Sequence, residues 1–532
     1  MTKLLPILLL FFTQVSFGEI RKVAFSEPAS VEHWEVIDLV FKAKVKIDNP
    51  FIASFSATFE GPDNRQLNIP GFYNGNDEWI VRFSSSTPGA WTFETISEIR
   101  KLSAKNGIVH VKASTDAEKH GALVLNANNP QHFYYEDGTP YFQLAFECDW
   151  LFALDYHNET GTPKTEHLLS LLNDHRINQI VTTMYSFDVS WPKDPRLAEH
   201  PEHEFGGDLA IFPFLGTNEN PDFSQLNIDF FQKYDRVISA TNDHNITLHL
   251  MIYVWNKLVS WPDAETEADN MYFDYIIKRY QAFPNVVWDV SKEALNNKRC
   301  TEAYGLERIE RIRKLDVYNR LVSVHDFGFC NRNSEAVDFI SVQNWNLKIY
   351  PNMLEIRNKF KNKPVFNIEH GGYELSPYVV FPGNYISPEY CLKRNYEIAF
   401  AGVYSTYYWQ GASWNALIHN PFELPDDFVK PRFDYYKHFV QFFTKFPFSE
   451  FEPDPRSSTY SLTNNKGTTL VFVPKENYQI SIYGNSPLSG DTGTVQWFNT
   501  LTGEYTAELP YDGGHGVNPW HEQADAILIR TF

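Results

Sequence analysis

Cysteine is scarce, with four in 532 residues: Cys148, Cys300, Cys330 and Cys391. That is too few for a disulfide scaffold, and the spacings lack the pairing of a zinc site. Positive charge is in deficit, 46 Lys and Arg against 66 Asp and Glu, for a net charge of −20. Such a balance opposes adhesion of the whole surface to nucleic acid or anionic lipid, so no nucleic-acid partner is expected. No segment approaches the roughly 20 uninterrupted apolar residues that cross a bilayer, so no membrane span is expected. No glycine-rich fingerprint follows the first strand of the central region, and no His and carboxylate spacing suggests a metal centre. Neither cofactor nor metal is expected. Internal repeats and low-complexity tracts are also missing.

Aromatic residues, by contrast, are abundant: 43 Phe, 29 Tyr and 13 Trp. At that density they fill large cores or line surfaces that stack on flat ligands such as sugar rings. At the N-terminus, Lys3, the apolar run Leu4 to Phe12 and Ser16-Phe17-Gly18 have the order of a secretory signal peptide cleaved near Gly18. The expectation is a protein secreted or delivered to the periplasm, with 1–18 removed.

Three textures follow. Residues 19–115 alternate apolar and polar, as in Ile52-Ala-Ser-Phe-Ser-Ala-Thr-Phe59 and Glu78-Trp-Ile-Val-Arg-Phe83, and predict an antiparallel β-sandwich. Residues 116–445 carry short apolar strands between helical stretches. The strands are Tyr141–Phe146, Gln179–Met184, Ile246–Tyr253, Val286–Val290, Leu321–His325, Phe339–Gln343, Pro364–Glu369 and Val403–Trp409. Eight strand and helix alternations in about 325 residues predict an α/β fold of the (β/α)8, or TIM, barrel type. Residues 446–532, after a Pro-rich joint, return to strand patterns and predict a second small β-sandwich.

In such a barrel the chemistry lies at the C-terminal strand ends. Glu293 ends the fourth strand and Glu369 the seventh, which face each other across the mouth and can hold two carboxyl groups about 5 Å apart, as retaining glycosidases do. Glu147, Asp149 and Trp150 end the first strand, Tyr185 the second, Tyr253 and Trp255 the third, His325 the fifth, Trp345 the sixth, His370 the seventh and Trp409 the eighth. The aromatic members would form stacking platforms for a sugar, and the histidines would orient carboxylates or touch hydroxyls. Cys300 and Cys330 fall in the neighbouring loops after the fourth and fifth strands, the one pair placed to close a disulfide in an exported protein.

The run Tyr280-Gln-Ala-Phe-Pro-Asn-Val-Val-Trp-Asp-Val-Ser-Lys-Glu-Ala294 resembles the fourth-strand signature of clan A (β/α)8 glycoside hydrolases, especially the apiosidase-like branch. Asn367-Ile-Glu-His-Gly-Gly372 is similar to that branch's seventh-strand nucleophile. Phe223-Ser-Gln-Leu-Asn-Ile-Asp-Phe-Phe231 and Tyr407-Tyr-Trp409 add to the likeness. The front sandwich resembles the uncharacterised domain that often precedes such barrels, and the tail with Trp497-Phe-Asn-Thr-Leu-Thr-Gly503 resembles their C-terminal β domain. The resemblance implies a retaining glycosidase acting on a plant or algal polysaccharide or oligosaccharide, with Glu293 as acid/base and Glu369 as nucleophile.

One residue departs from the pattern. The family's Asn before the acid/base is Lys292 here, and its charge lowers the pKa of a nearby acid. Two readings stand: Lys292 binds an anionic sugar such as a uronate, or the barrel is catalytically degenerate and only binds carbohydrate.

Overall fold

The computed structural model describes residues 18–532 apart from 191–193, 202–207, 209, 256, 294, 296–297, 372, 375–384, 410–416, 455–456, 458, 465, 482–492 and 512–514. The expected leader up to Phe17 lies outside the described residues. Among the described residues no helix is long and apolar enough to cross a membrane.

The centre of the chain is a parallel barrel of eight strands: β1 Leu144–Glu147, β2 Gln179–Thr183, β3 Thr247–Val254, β4 Val286–Lys292, β5 Val322–His325, β6 Ile340–Gln343, β7 Val365–Glu369 and β8 Tyr404–Trp409. They pair in the order 5-4-3-2-1-8-7-6. Parallel strands are covered on both faces and therefore read as apolar runs; every residue of β3 is buried. Strands β5 and β6 complete the ring without a regular ladder. Asp338 N donates to Val322 O at 2.9 Å, Val322 N donates to the Asp338 carboxylate at 2.7 Å, and Ser323 Oγ donates to Phe339 O at 2.9 Å.

One helix follows each strand: α1 Pro163–Asp174, α2 Ile228–Asp243, α3 Glu267–Tyr280, α4 Glu302–Leu315, α5 Phe327–Arg332, α6 Ile349–Lys359, α7 Pro388–Phe400 and α8 Phe433–Lys445. Asn227, Thr266, Thr301, Asp326 and Ser387 each accept a backbone N–H in the first turn of α2, α3, α4, α5 and α7. Such caps satisfy donors that the helix leaves open, and they fix where each strand-to-helix loop ends.

Two antiparallel-rich sheets precede the barrel. One holds Arg21–Ala24, Ile37–Lys42, Glu78–Phe83 and Phe72–Tyr73; the other holds Ala29–Glu32, Asn106–Lys112, Gly89–Ser97, Phe55–Glu60 and Gln66–Pro70. Their inward residues, among them Phe41, Phe59, Trp79, Phe83 and Trp91, form a separate core. After the barrel comes a six-stranded antiparallel sheet built on Thr468–Val473, Ala526–Thr531 and Thr494–Asn499, with a two-stranded ribbon beside it. Leu470, Phe472, Phe498 and Ile527 of that sheet belong to the same core as the barrel.

A buried ionic cluster joins the front sandwich to the barrel. Arg82 donates to Asp38 at 2.7 Å on its own sheet and to Asp235 of α2 at 2.9 Å. Arg279 of α3 donates to the same Asp235 at 2.6 Å and to Asn74 at 2.9 Å. Burial opposes the charge of Asp235, but Arg279 and Arg82 hold its carboxyl below the ordinary range. Because its folded value is depressed, Asp235 contributes stability in full above about pH 4, and that stability is lost as pH falls through the lowered value. Asp235→Asn leaves two buried guanidiniums short of a counter-charge. It should cost about 3–5 kcal/mol, seen as a lower urea midpoint at pH 7, and should flatten the acid limb of stability below pH 4; a variant with an unchanged midpoint contradicts this account.

Candidate active site

The ends of β1 and β7 meet at Lys292, the last residue of β4. Its side chain is buried, and its Nζ lies 2.5 Å from Glu147 Oε1 at the end of β1. The same ammonium is 3.6 Å from Asp149 Oδ2 and 3.6 Å from Glu369 Oε2 at the end of β7. Lys257, beyond β3, reaches Asp149 Oδ2 at 3.2 Å and stands over the Trp150 ring. His325 at the end of β5 points Nε2 to Glu369 Oε2 at 3.8 Å. At the end of β6, Gln343 Nε2 donates to Glu293 Oε1 at 3.0 Å.

The chain geometry explains how neighbouring residues Lys292 and Glu293 both serve this mouth. Successive strand residues ordinarily point to opposite faces. Here the β4 and β5 register shifts between Asp289 and Lys292, and Glu293 takes a left-handed conformation with φ of 55°. A non-glycine residue in that region is uncommon, and such residues cluster at functional sites. Asp289 fixes the arrangement from inside the barrel. Its Oδ1 accepts from Ser291 N and His325 N, each at 3.0 Å, while its Oδ2 is 2.9 Å from His249 Nε2.

Burial and charge set the protonation pattern. Burial disfavours the Lys292 ammonium, but Asp149, Glu147, Glu369 and Glu293 together hold it well above the ordinary lysine value. Burial pushes Glu147 up against the pull of Lys292. Asp149 is disfavoured by burial as well, yet Lys292 and Lys257 hold it below the usual range. Burial, with Lys292 and His249 nearby, keeps His325 well below its ordinary value and therefore neutral. Among the described residues no group of three or more His, Cys, Asp or Glu side chains is arranged to hold a metal.

Several expected site residues lie elsewhere. Tyr253 points outward from the barrel: its hydroxyl donates to Asp269 and its ring packs on Tyr272 and Phe273 of α3, so it offers no face to a sugar. Tyr185 is fully buried among Phe152, Phe212, Phe230 and Trp261. Trp150 is buried too, with its N–H donated to Phe187 O at 2.9 Å. His370 turns away from the mouth, with Nε2 2.7 Å from Thr406 O of β8. Trp255 and Trp409 are buried at the ends of β3 and β8, and Trp345 alone of the six expected aromatic platforms is half-buried, packed over Gly371. The expected disulfide is absent, since Cys300 and Cys330 are free thiols. Cys330 is buried on α5 and donates to Val324 O at 3.1 Å, and burial pushes it up to about 11.

Gln343, Lys257, Asp289 and His249 were not among the expected residues. Gln343 follows the same strand-end rule that picks out Glu369. Asp289 shows itself as a lone carboxylate inside an apolar strand. Lys257 sits in a loop that carries no periodic signal.

A parallel eight-stranded barrel whose mouth gathers carboxylates from β1, β4 and β7 has the architecture of the (β/α)8 glycosidases. The family model for the apiosidase-like catalytic domain matches residues 127–420, more than half of the chain, and the chain belongs to that family. Residues 30–98 match a domain of unknown function, DUF5060. The fold is similar to that of a candidate glycoside hydrolase from Bacteroides vulgatus, which is 20% identical with a TM-score of 0.76 over 95% of this chain and 100% of that one. It is also similar to a glycoside hydrolase family 5 protein from Bacteroides vulgatus, 18% identical with a TM-score of 0.57, covering 78% of this chain and 93% of the other. A further glycoside hydrolase is 17% identical with a TM-score of 0.55, covering 77% and 97% of the two chains. No curated protein matches the chain.

The buried histidines make a testable link between site and stability. Burial, helped by Arg394, lowers His370 from the ordinary 6.5 to about 3. Between those values the unfolded chain takes up a proton that the folded chain refuses, so stability falls as pH drops, by about 1.4 kcal/mol per pH unit for each such histidine. Urea midpoints measured from pH 7 to pH 4 should therefore fall less steeply in His370→Gln than in the parent, by about one proton's contribution. An identical slope would refute the buried neutral ring.

Proposed function

We propose that the protein is an exported retaining glycoside hydrolase in which Glu369 is the nucleophile and Glu293 the acid/base. The observation that carries this reading is the placement of the two carboxyl groups at the mouth, Glu369 at the end of β7 and Glu293 directly after β4. Glu369 is buried within 3.6 Å of the Lys292 ammonium, which favours its ionised form. Glu293 accepts from the neutral Gln343 amide and is less enclosed. Two carboxyl groups on the facing ends of β4 and β7 are the pair that double displacement requires.

In the first step a Glu369 oxygen attacks the anomeric carbon as the glycosidic C–O bond breaks, and Glu293 gives its proton to the departing oxygen. In the second, Glu293 takes a proton from water, whose oxygen displaces Glu369 and releases the sugar. Both transition states carry positive charge on the sugar ring. The surrounding carboxylates of Glu147 and Asp149 would stabilise that charge.

Export rests on Lys3 and the apolar run Leu4 to Phe12, and a plant or algal glycan rests on the family likeness. The rival binding-only reading drew on Lys292. The ammonium is bonded to Glu147 of β1, which supports a role for Lys292 other than holding the proposed acid.

Glu369→Gln should abolish turnover on a glycan panel read by mass spectrometry while leaving the fold intact. Glu293→Ala should slow cleavage of poor leaving groups by about 10²–10⁴-fold, with azide restoring the rate on an activated glycoside and trapping a glycosyl azide of retained configuration. Full activity in Glu369→Gln, or an inverted azide product, defeats the assignment.

A further inference from the structure

The Lys292 ammonium has three N–H bonds to give, and three carboxylates stand around it: Glu147 at 2.5 Å, Asp149 at 3.6 Å and Glu369 at 3.6 Å. Lys257 also faces Asp149. Glu147, Asp149, Glu293 and Glu369 thus oppose two lysines, and when all are ionised the mouth holds a surplus of negative charge. His325, neutral and buried, does not offset it.

Acceptors remain open within this cluster. Glu147 Oε2 and Asp149 Oδ1 are buried without a hydrogen-bond partner, on side chains only 6% and 7% exposed. Both ring nitrogens of His325 are in the same state. Buried polar atoms without partners are costly and rare, and where they converge on one mouth they mark groups waiting for a ligand's donors.

We propose that Glu147 and Asp149 accept the hydroxyls of the sugar ring that is transferred, that Lys292 is their counter-ion and not an anion receptor, and that this ring is uncharged. The proposal deepens the hydrolase reading and rests on it for the identity of the ring. Hydroxyl donors complete the open carboxylate oxygens. A uronate or a sulfate ester brings a further negative charge into a negative mouth and finds no ammonium left uncommitted. A sugar lacking the matching hydroxyl leaves a buried acceptor unpaired and is rejected too.

The test uses the full-length protein and a small cationic polyol, protonated Tris, which combines three hydroxyl donors with a charge that suits a negative site. Calorimetry should give one Tris site per chain, weakened at least tenfold in Glu147→Gln and in Asp149→Asn. Galacturonate, glucuronate and sulfate should bind at least 100-fold more weakly than Tris and fail to displace it. The comparison of probes on the parent protein stands even if a variant does not fold.

The proposal is overturned if Tris does not bind, if both carboxylate variants bind it unchanged, or if a uronate or sulfate displaces it in a manner lost in Lys292→Met. None of these readouts needs turnover. A chain that holds Tris through Glu147 and Asp149 yet cleaves no glycan defeats the hydrolase reading alone, and one that cleaves a terminal uronide defeats this proposal alone.

Discussion

Lys292 occupies a place where an unpaired charge would be intolerable, and the ends of β1, β4 and β7 are arranged around that fact. An ammonium removed from water must be repaid in contacts with carboxylates, and Glu147, Asp149 and Glu369 supply them from two other strands. The converse holds as strongly. Without Lys292, three buried carboxylates would face one another with Lys257 as their remaining cation at the β1 side. Such an ion cluster is a weak source of stability, because desolvation cancels most of its attraction. Its effect is on geometry: each member can sit only where the others allow it.

That geometry needs a stiff frame, and two further buried polar clusters supply it. Below the mouth, Asp289 binds His249 on one side and the backbone N–H groups of Ser291 and His325 on the other. One carboxylate therefore ties β3, β4 and β5 at the level where the register shifts. Outside the barrel, Arg82 and Arg279 share Asp235, so the front sandwich and helices α2 and α3 meet through two fully buried guanidiniums. Domains joined through small polar interfaces ordinarily move against each other. A contact built on buried guanidiniums opposes such motion, because separation would expose the charges in a poorly solvated gap before water could enter.

The sequence makes the eight strands legible because a parallel strand covered on both faces is a mostly apolar run, and β3, β4 and β7 are such runs with isolated polar residues. Strand-end logic reaches Glu147, Lys292, His325 and Glu369 for the same reason: a polar residue closing an apolar run has few places to go other than the mouth. The aromatic residues are harder. Tyr253 and Trp255 close the same strand two positions apart, and strand periodicity alone does not reveal that Tyr253 turns outward to bond Asp269 of α3. The helix that receives it follows only 16 residues later, but its sequence carries no mark of the contact. Cys300 and Cys330 follow neighbouring strands, but the side chain of Cys330 on α5 turns to Val324 O, a direction that spacing does not encode. Lys292 is the instructive residue. Its identity is plain from the sequence, while its meaning depends on partners some 145 positions earlier in the chain.

Those partners change what the exchange of Asn for Lys before Glu293 implies. A neutral amide can stand alone beside a sugar hydroxyl, donating and accepting. A lysine cannot accept, and in a buried mouth it requires acids of its own. Glu147 and Asp149 meet that requirement from β1, and they bring the acceptor oxygens that Lys292 lacks. Lysine and acids together can therefore offer a sugar what a single asparagine offers, with the acceptors moved across the barrel. The left-handed turn at Glu293 makes the exchange possible, since it directs Lys292 toward β1 and β7 while Glu293 reaches Gln343 on β6. The ammonium thus meets its carboxylates on the side of β1 and β7, and the proposed proton donor takes an amide partner on the side of β6.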